Sequence, residues 1–320
     1  MMDDRSVNSL FDDFVRYATD QHLPIEALAI GDESHVIAEH HWVADRPRSI
    51  YSHTKSYTST AIGIAIDNGL MSLDDLLIDT VADELSVAEL NQLDQRIQQI
   101  TLRDLLVMSS GFGGAFLMIN ERRKGEGCPD FLRYMLAKPV TATPGAHFCY
   151  SSADTYLAGR MLEHATGERL GEYLWRHVFD PLGQGWPIWE HDPQGHAMGG
   201  SSIEMTITSM MKIAQVFLNE GVWAPTGQRI VSADWVKQAS AKQIDTPTGH
   251  HDDGWSCGYG YQWWMSPYPK SYRADGAFGQ ISIVLPEQGL VVAIQCPEGD
   301  GWERVVRHEL HERLLTPLTA

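Results

Sequence analysis

Ser52 and Lys55 stand three residues apart in the string Tyr51-Ser52-His53-Thr54-Lys55-Ser56, a hydroxyl and an amine spaced to share one helical face. An amine withdrawn from water loses affinity for its proton, and the neutral amine can then accept the proton of a hydroxyl. Stretch 50–69 is small or apolar after Thr60 and ends at Gly69, so the pattern predicts a core helix that starts near Ser52. At that end the free N–H groups and the positive end of the helix dipole favour an alkoxide. They equally favour the oxyanion formed when it attacks a carbonyl. Spacing alone proves little, because ordinary residue usage produces roughly one Ser-x-x-Lys in a chain of this length. A second one, Ser209-Met210-Met211-Lys212, is indeed present. It lies in an amphipathic pattern over 206–219, marked by Ile207, Met210, Met211, Ala214, Phe217 and Leu218, with its serine reading as mid-helix and its lysine as solvated.

The elements that must position Ser52 follow from periodicity. Residues 10–18 have helical spacing, and 25–30 with 34–42 read as a strand pair turned at Gly31-Asp32. From 72 to 219 helical patterns dominate, at 102–108, 129–136, 151–166, 170–178 and 206–219. Strand patterns return at 259–265, 271–275, 280–285 and 290–295, the last two joined by a Pro286-Glu287-Gln288-Gly289 turn, before a final helix over about 301–315. Short turns between the late strands imply antiparallel pairing. The expected fold is therefore α+β: an antiparallel β-sheet assembled from both ends of the chain and flanked by N- and C-terminal helices, with an inserted, mainly helical lobe. All of 1–320 reads as a single catalytic domain, with an α/β lobe from 1–70 and 225–320 and a helical lobe over 71–224.

A formal charge of -18 and the absence of any basic run exclude nucleic acid and anionic membranes as partners. No segment reaches the roughly 18 uninterrupted apolar residues of a membrane span. The start, Met1-Met2-Asp3-Asp4-Arg5, has neither a basic nor an apolar leader region, and the expected location is the cytoplasm. Cys128, Cys149, Cys257 and Cys296 lack metal or redox spacing and read as reduced thiols. Of the seven lysines, Lys55 occupies the most apolar neighbourhood, a costly placement that a function would explain.

A serine–lysine pair needs a third group to carry a proton to the leaving atom. Tyr150 is the candidate: it follows the turn-forming Thr143-Pro144-Gly145 and immediately precedes the helix expected at 151, a junction where side chains project into clefts. In this role a nearby cation would lower its pKa. Together with Tyr51-Ser52-His53-Thr54-Lys55-Ser56, three further strings resemble, in order, the motifs of the class C β-lactamase and DD-peptidase superfamily of serine hydrolases. They are the segment 100–111, Tyr150-Ser151-Ser152, and Gly276-Ala277-Phe278-Gly279-Gln280 with Leu285-Pro286-Glu287. The resemblance covers roughly 25–315. It implies a cleft between sheet and helical lobe holding Ser52 as the acylated nucleophile, with Lys55 and Tyr150 moving its proton. It also implies an oxyanion hole made by the backbone N–H groups of Ser52 and Ala277.

Two departures from that family pattern bear on substrate. The third motif normally begins with a cation that helps bind a carboxylate, whereas here Ala274-Asp275-Gly276 aligns with it, and a bare aspartate would repel that carboxylate. In the second motif Ser152 replaces asparagine, removing an amide that would contact both the acyl side chain and Lys55. Both changes favour a small-molecule ester or amide substrate. A β-lactamase or D-alanyl-D-alanine carboxypeptidase is the alternative within chemistry, and a catalytically silent binding protein of the same fold the alternative outside it. Tyr261-Gln262-Trp263-Trp264 resembles the family's strand beside the cleft, which makes its aromatic residues, Trp264 and above all Trp263, the preferred pocket candidates alongside Ser152, Asp275 and Gly276. His53 and His147 read as packing residues, and His250-His251-Asp252-Asp253 as a solvated loop. No cofactor and no metal are expected.

Overall fold

The computed structural model describes residues 3–247 and 255–320. Helix α1, Asp4–Asp20, is capped by the Asp3 carboxylate, which accepts from the Ser6 N–H. It buries Val7, Phe11, Phe14 and Ala18 along one stripe. Among the described residues ten strands follow in order: β1 Ala27–Gly31, β2 Val36–His41, β3 Arg48–Ser49, β4 Glu204–Met205, β5 Val222–Trp223, β6 Gln228–Arg229, β7 Trp264–Met265, β8 Tyr272–Gly276, β9 Gln280–Leu285 and β10 Leu290–Gln295. Six of them form the main sheet in the order β2-β1-β10-β9-β8-β7. Every neighbouring pair is antiparallel, with Ala27 opposite Gln295 where the two ends of the chain meet. The turn between β1 and β2 is closed by Asp32 Oδ1, which accepts from the N–H groups of Ser34 and His35.

Alternation along the buried strands sorts residues by size onto two faces. Leu28 and Ile30 of β1, Ile281, Ile283 and Leu285 of β9, and Leu290, Val292 and Ile294 of β10 face α1 and the C-terminal helical run 302–319. Phe11 and Phe14 of α1 sink into that layer, each worth about 1.5–3 kcal/mol. The opposite face carries Ala27, Ala29 and Ala293, small enough for helices to approach closely. On it lies α2, Thr54–Asp67, buried almost throughout and entered through the 3₁₀ turn Tyr51–His53. Ile207–Leu218 packs its buried stripe of Ile207, Met210, Met211 and Ala214 into the same core layer.

The expected antiparallel sheet with flanking terminal helices and a helical insertion is thus present, with corrections at the edges. Ile207–Leu218, inside the stretch expected as the helical lobe, packs its apolar stripe on β1, β9 and β10 of the main sheet. The strand expected over 259–265 is regular only at Trp264–Met265, where it pairs with β8; Tyr259 contributes isolated bridges to Ile244 and Trp264. The final helix extends to Thr319 and includes two wide-turned π stretches, Val305–Glu309 and His311–Leu315.

Candidate active site

The 3₁₀ turn that carries Ser52 is held from several sides. Tyr51 has a left-handed backbone, φ 46, a conformation costly for a bulky residue unless its surroundings hold it. Its hydroxyl donates to Glu298 at 2.7 Å, Glu298 accepts from Arg123 at 2.6 and 3.1 Å, and its ring meets Phe278 edge-on at 5.1 Å. Burial, then Glu298, pushes the Tyr51 phenol up to about 12. One residue on, Ser52 stands half-buried before the first turn of α2.

Lys55 is 1% exposed. Its Nζ donates to the Gly200 carbonyl at 2.6 Å and lies 3.3 Å from both Ser52 Oγ and Ser152 Oγ. Burial holds its proton affinity well below the ordinary lysine range. The Arg122 guanidinium pushes the same way, and the Asp154 carboxylate pushes back. A neutral amine has two donors and one lone pair, which matches the three oxygens around Nζ when the lone pair faces the Ser52 hydroxyl.

Tyr150 follows an extended piece pinned by the Cys149 N–H on the Met108 carbonyl at 2.7 Å. It precedes helix Ser152–Thr166, whose N-cap Ser151 accepts from the Ala153 N–H. Its ring lies 5.5 Å from Trp264 and 6.2 Å from Tyr259, and Lys55 Nζ sits 4.9 Å from its centroid. The expected lowering of this phenol by a cation is reversed. Burial raises it above the ordinary range, a hydrogen bond with Ser52 pulls it part of the way back, and Asp275 raises it further. The lysine lies over the ring face and is itself stripped of charge affinity, so it does little for a phenolate.

Strand β8 closes the site from the other side. A Cβ on Gly276 would sit 2.1 Å from the Ile50 carbonyl oxygen, so only glycine lets the strand end reach the segment before Ser52. Ala277 thereby falls between Gly276, against Ile50, and Phe278, against Tyr51. Asp275 is not the bare charge expected. Its Oδ2 accepts from Arg273 Nε at 2.8 Å, and burial raises its carboxyl while Arg273 pulls it down. Ser152 keeps the contact to Lys55 that loss of an asparagine was expected to remove.

Trp263 is corrected: it is 0% exposed, with its ring tilted against Phe217 at 4.3 Å in the core. Its neighbour Trp264 carries the aromatic wall beside Tyr150. His53 is buried as expected, 2.9 Å from Ser282 Oγ, with burial lowering its imidazole to about 3. His147 is exposed rather than packed. In the second Ser-x-x-Lys, Ser209 sits in the first turn, its N–H capped by Thr206, and Lys212 is engaged by the Leu182 carbonyl at 2.7 Å, so neither is mid-helix nor solvated as expected. The His250-His251-Asp252-Asp253 stretch lies outside the described residues. Among the described residues no three His, Cys, Asp or Glu side chains gather as metal ligands, and no helix is long and apolar enough to cross a membrane.

Three site residues escaped the sequence. Gly200 supplies the shortest bond to Lys55, and a Cβ there would meet the Ser152 carbonyl at 2.8 Å. A backbone acceptor leaves no signature beyond the Gly199-Gly200 pair. Arg122 is buried, bidentate to Glu190 at 2.8 and 2.7 Å and 3.3 Å from Ser202 Oγ. Asp154 is 1% exposed in the first turn of Ser152–Thr166.

Penicillin-binding protein 4 of Amycolatopsis lactamdurans is 26% identical over 323 residues, covering 86% of this chain and 81% of that protein. Lovastatin esterase of Penicillium rubens is 31% identical over 161 residues, which is 44% of this chain but only 40% of the esterase. The octameric penicillin-binding protein homologue of Pyrococcus abyssi has the same fold, with a TM-score of 0.73, 18% identity, and coverage of 97% of this chain and 77% of that one. The family model described as Beta-lactamase matches residues 11–313, and the chain therefore belongs to the Beta-lactamase family, the superfamily its ordered motifs resemble.

Proposed function

We propose that this chain is a serine hydrolase that works through a covalent acyl-enzyme on small ester or amide substrates. The observation that carries the reading is the buried Lys55 amine, 3.3 Å from the Ser52 hydroxyl at the start of α2. Ser52 Oγ attacks the substrate carbonyl while Lys55 Nζ takes its proton. The carbonyl oxygen becomes an oxyanion between the N–H groups of Ser52 and Ala277. Collapse of that intermediate expels the alcohol or amine, which takes a proton from the Tyr150 hydroxyl, and the phenolate regains one from the Lys55 ammonium. Water then attacks the acyl-enzyme, releasing the acid and restoring Ser52. The opposed directions of the two proton affinities, low for Lys55 and high for Tyr150, support base and acid in those roles.

The name of the lovastatin esterase relative supports an ester, although the likeness spans less than half of either protein. A specific observation keeps a β-lactam or D-alanyl peptide as the second reading. Arg273 answers the charge of Asp275, so the barrier to a substrate carboxylate is smaller than the sequence implied. Intact mass after a fluorophosphonate separates enzyme from silent binder: one adduct is expected, lost in Ser52→Ala, and no adduct with any acylating agent refutes the reading. Turnover of p-nitrophenyl esters should far exceed that of nitrocefin. Equal rates would move the assignment to the second reading.

A further inference from the structure

Three non-glycine residues with left-handed backbone meet beside Ser52: Tyr51 at φ 46, Ser202 at φ 77 and Phe278 at φ 59. The Ser202 N–H donates to the Tyr51 carbonyl at 3.3 Å, and the Tyr51 and Phe278 rings meet edge-on at 5.1 Å. Such backbone is costly for a residue with a side chain, and it persists only where the surroundings hold it. Tyr51 is the shared member. It immediately precedes Ser52, and Phe278 immediately follows Ala277, so one ring contact joins the neighbours of both proposed oxyanion donors. Two consecutive arginines at the end of Ile119–Arg122 hold Tyr51 from opposite ends. Arg123 donates to both oxygens of Glu298, at 2.6 and 3.1 Å, and Glu298 accepts from the Tyr51 hydroxyl at 2.7 Å. Arg122, buried and paired with Glu190, donates to Ser202 Oγ at 3.3 Å.

We propose that Tyr51, anchored through Glu298 to Arg123, is a positioning residue for acylation, fixing the Ser52 turn against the strand end that carries Ala277. The inference rests on the reading of Ser52 as nucleophile and of the Ser52 and Ala277 N–H groups as the oxyanion hole. The Tyr51 dihedrals set the orientation of the next peptide unit, and that unit carries the Ser52 N–H. The hydroxyl bound to Glu298 is thus the far end of a lever whose near end is an oxyanion donor. Released from Glu298, Tyr51 has less to keep it in its left-handed conformation, and relaxation would turn the donor away from the oxygen it must meet. Donors act strongly only when they are already aimed, so a small loss of aim is read directly in the rate. The Arg123 and Glu298 side chains are 51% and 46% exposed, and an ion pair so wet adds little to global stability. Its effect is local: it fixes the carboxylate that receives the phenol.

The test is fluorophosphonate labelling of Ser52 in the whole chain, followed over reagent concentration so that the limiting rate and the half-saturating concentration are read separately. Tyr51→Phe keeps the ring on Phe278 and removes only the bond to Glu298. Its limiting rate should fall about tenfold, short of the roughly 10²–10³ that loss of an oxyanion donor costs, with the half-saturating concentration unchanged. Arg123→Gln should lower the limiting rate about threefold, and Arg123→Lys should restore most of it. Arg123→Gln combined with Tyr51→Phe should be no slower than Tyr51→Phe alone, because both act through Glu298. The exposed Arg123 decides the matter if Tyr51→Phe does not fold. An unchanged limiting rate in the folded variants, a rise in half-saturating concentration alone, or losses that multiply in the double variant overturns the inference and leaves the network as a brace of the fold. Failure of the underlying reading looks different: the wild type would gain no adduct, or Ser52→Ala would label as fast as the wild type.

Discussion

Replacing His53 by glutamine tests the energetics of the layer between α2 and the sheet. The imidazole is wholly buried against Ser282, and its folded value of about 3 lies below the ordinary 6.5. The unfolded chain therefore binds more protons between those pH values, and stability from this group falls as the pH drops below 6.5. At pH 7.5 the loss is close to zero. At pH 5.0 it is about 2 kcal/mol, and any folded value below about 4.5 gives nearly the same figure, because the unfolded side of the equilibrium dominates. Asp154 works in the opposite sense. Its carboxyl is raised from 3.8 to about 7, so its contribution is lost as the pH rises from 3.8 through 7 and returns on acidification. The two offset each other in the wild type, and the subtraction carries the test. Urea unfolding at pH 7.5 and 5.0 should show His53→Gln losing about 2 kcal/mol less than wild type between the two conditions. Identical pH dependence in the two proteins would refute a neutral, buried imidazole.

Lys55→Ala should lower esterase kcat/KM by about 10²–10⁴ while thermal melting stays cooperative, since the substitution removes a group that burial disfavours. Retention of near-normal turnover would end its role as base. Gly276→Val places side-chain atoms against the Ile50 carbonyl, and should cost about 1–3 kcal/mol in denaturant unfolding and slow Ser52 labelling at least tenfold. Trp263→Ala should cost about 3–5 kcal/mol, with labelling of the folded fraction unchanged. Trp264→Ala should alter KM across a series of ester chain lengths; a flat series would remove the aromatic wall from the substrate.

The parts of the fold that could be read early are those where a single residue type repeats at a structural period. In 280–285 and 290–295 the strand bounds follow from apolar runs broken at Pro286 to Gly289, and β9 and β10 occupy those ranges. Ser52 at a helix start followed from the small residues behind it and the stop at Gly69. Trp263 and Trp264 show where such reading fails. Neighbours in an extended segment point to opposite faces, so an error of one residue exchanges core for cleft. The shortest bond of Lys55 was out of reach for another reason: Gly200 acts through its backbone carbonyl, which leaves no spacing in the sequence. The charge of Asp275 was misjudged for a related reason: Arg273, two positions earlier, lies on the same face of β8 and donates to it.

On the proposed mechanism, the meeting of β1 with β10 makes reactivity a late event in the life of the chain. Ser52, Ser152, Gly200 and Gly276 come from four distant stretches, and β1 finds its partner only when residues 290–295 have been made and docked. Contacts of such high sequence separation form slowly. Until they form, Lys55 is a solvated lysine with an ordinary proton affinity, and Ser52 is an inert alcohol. A nascent, truncated or misfolded copy would therefore carry no nucleophile of the proposed kind. On the proposed mechanism, acylation of Ser52 would report completed folding.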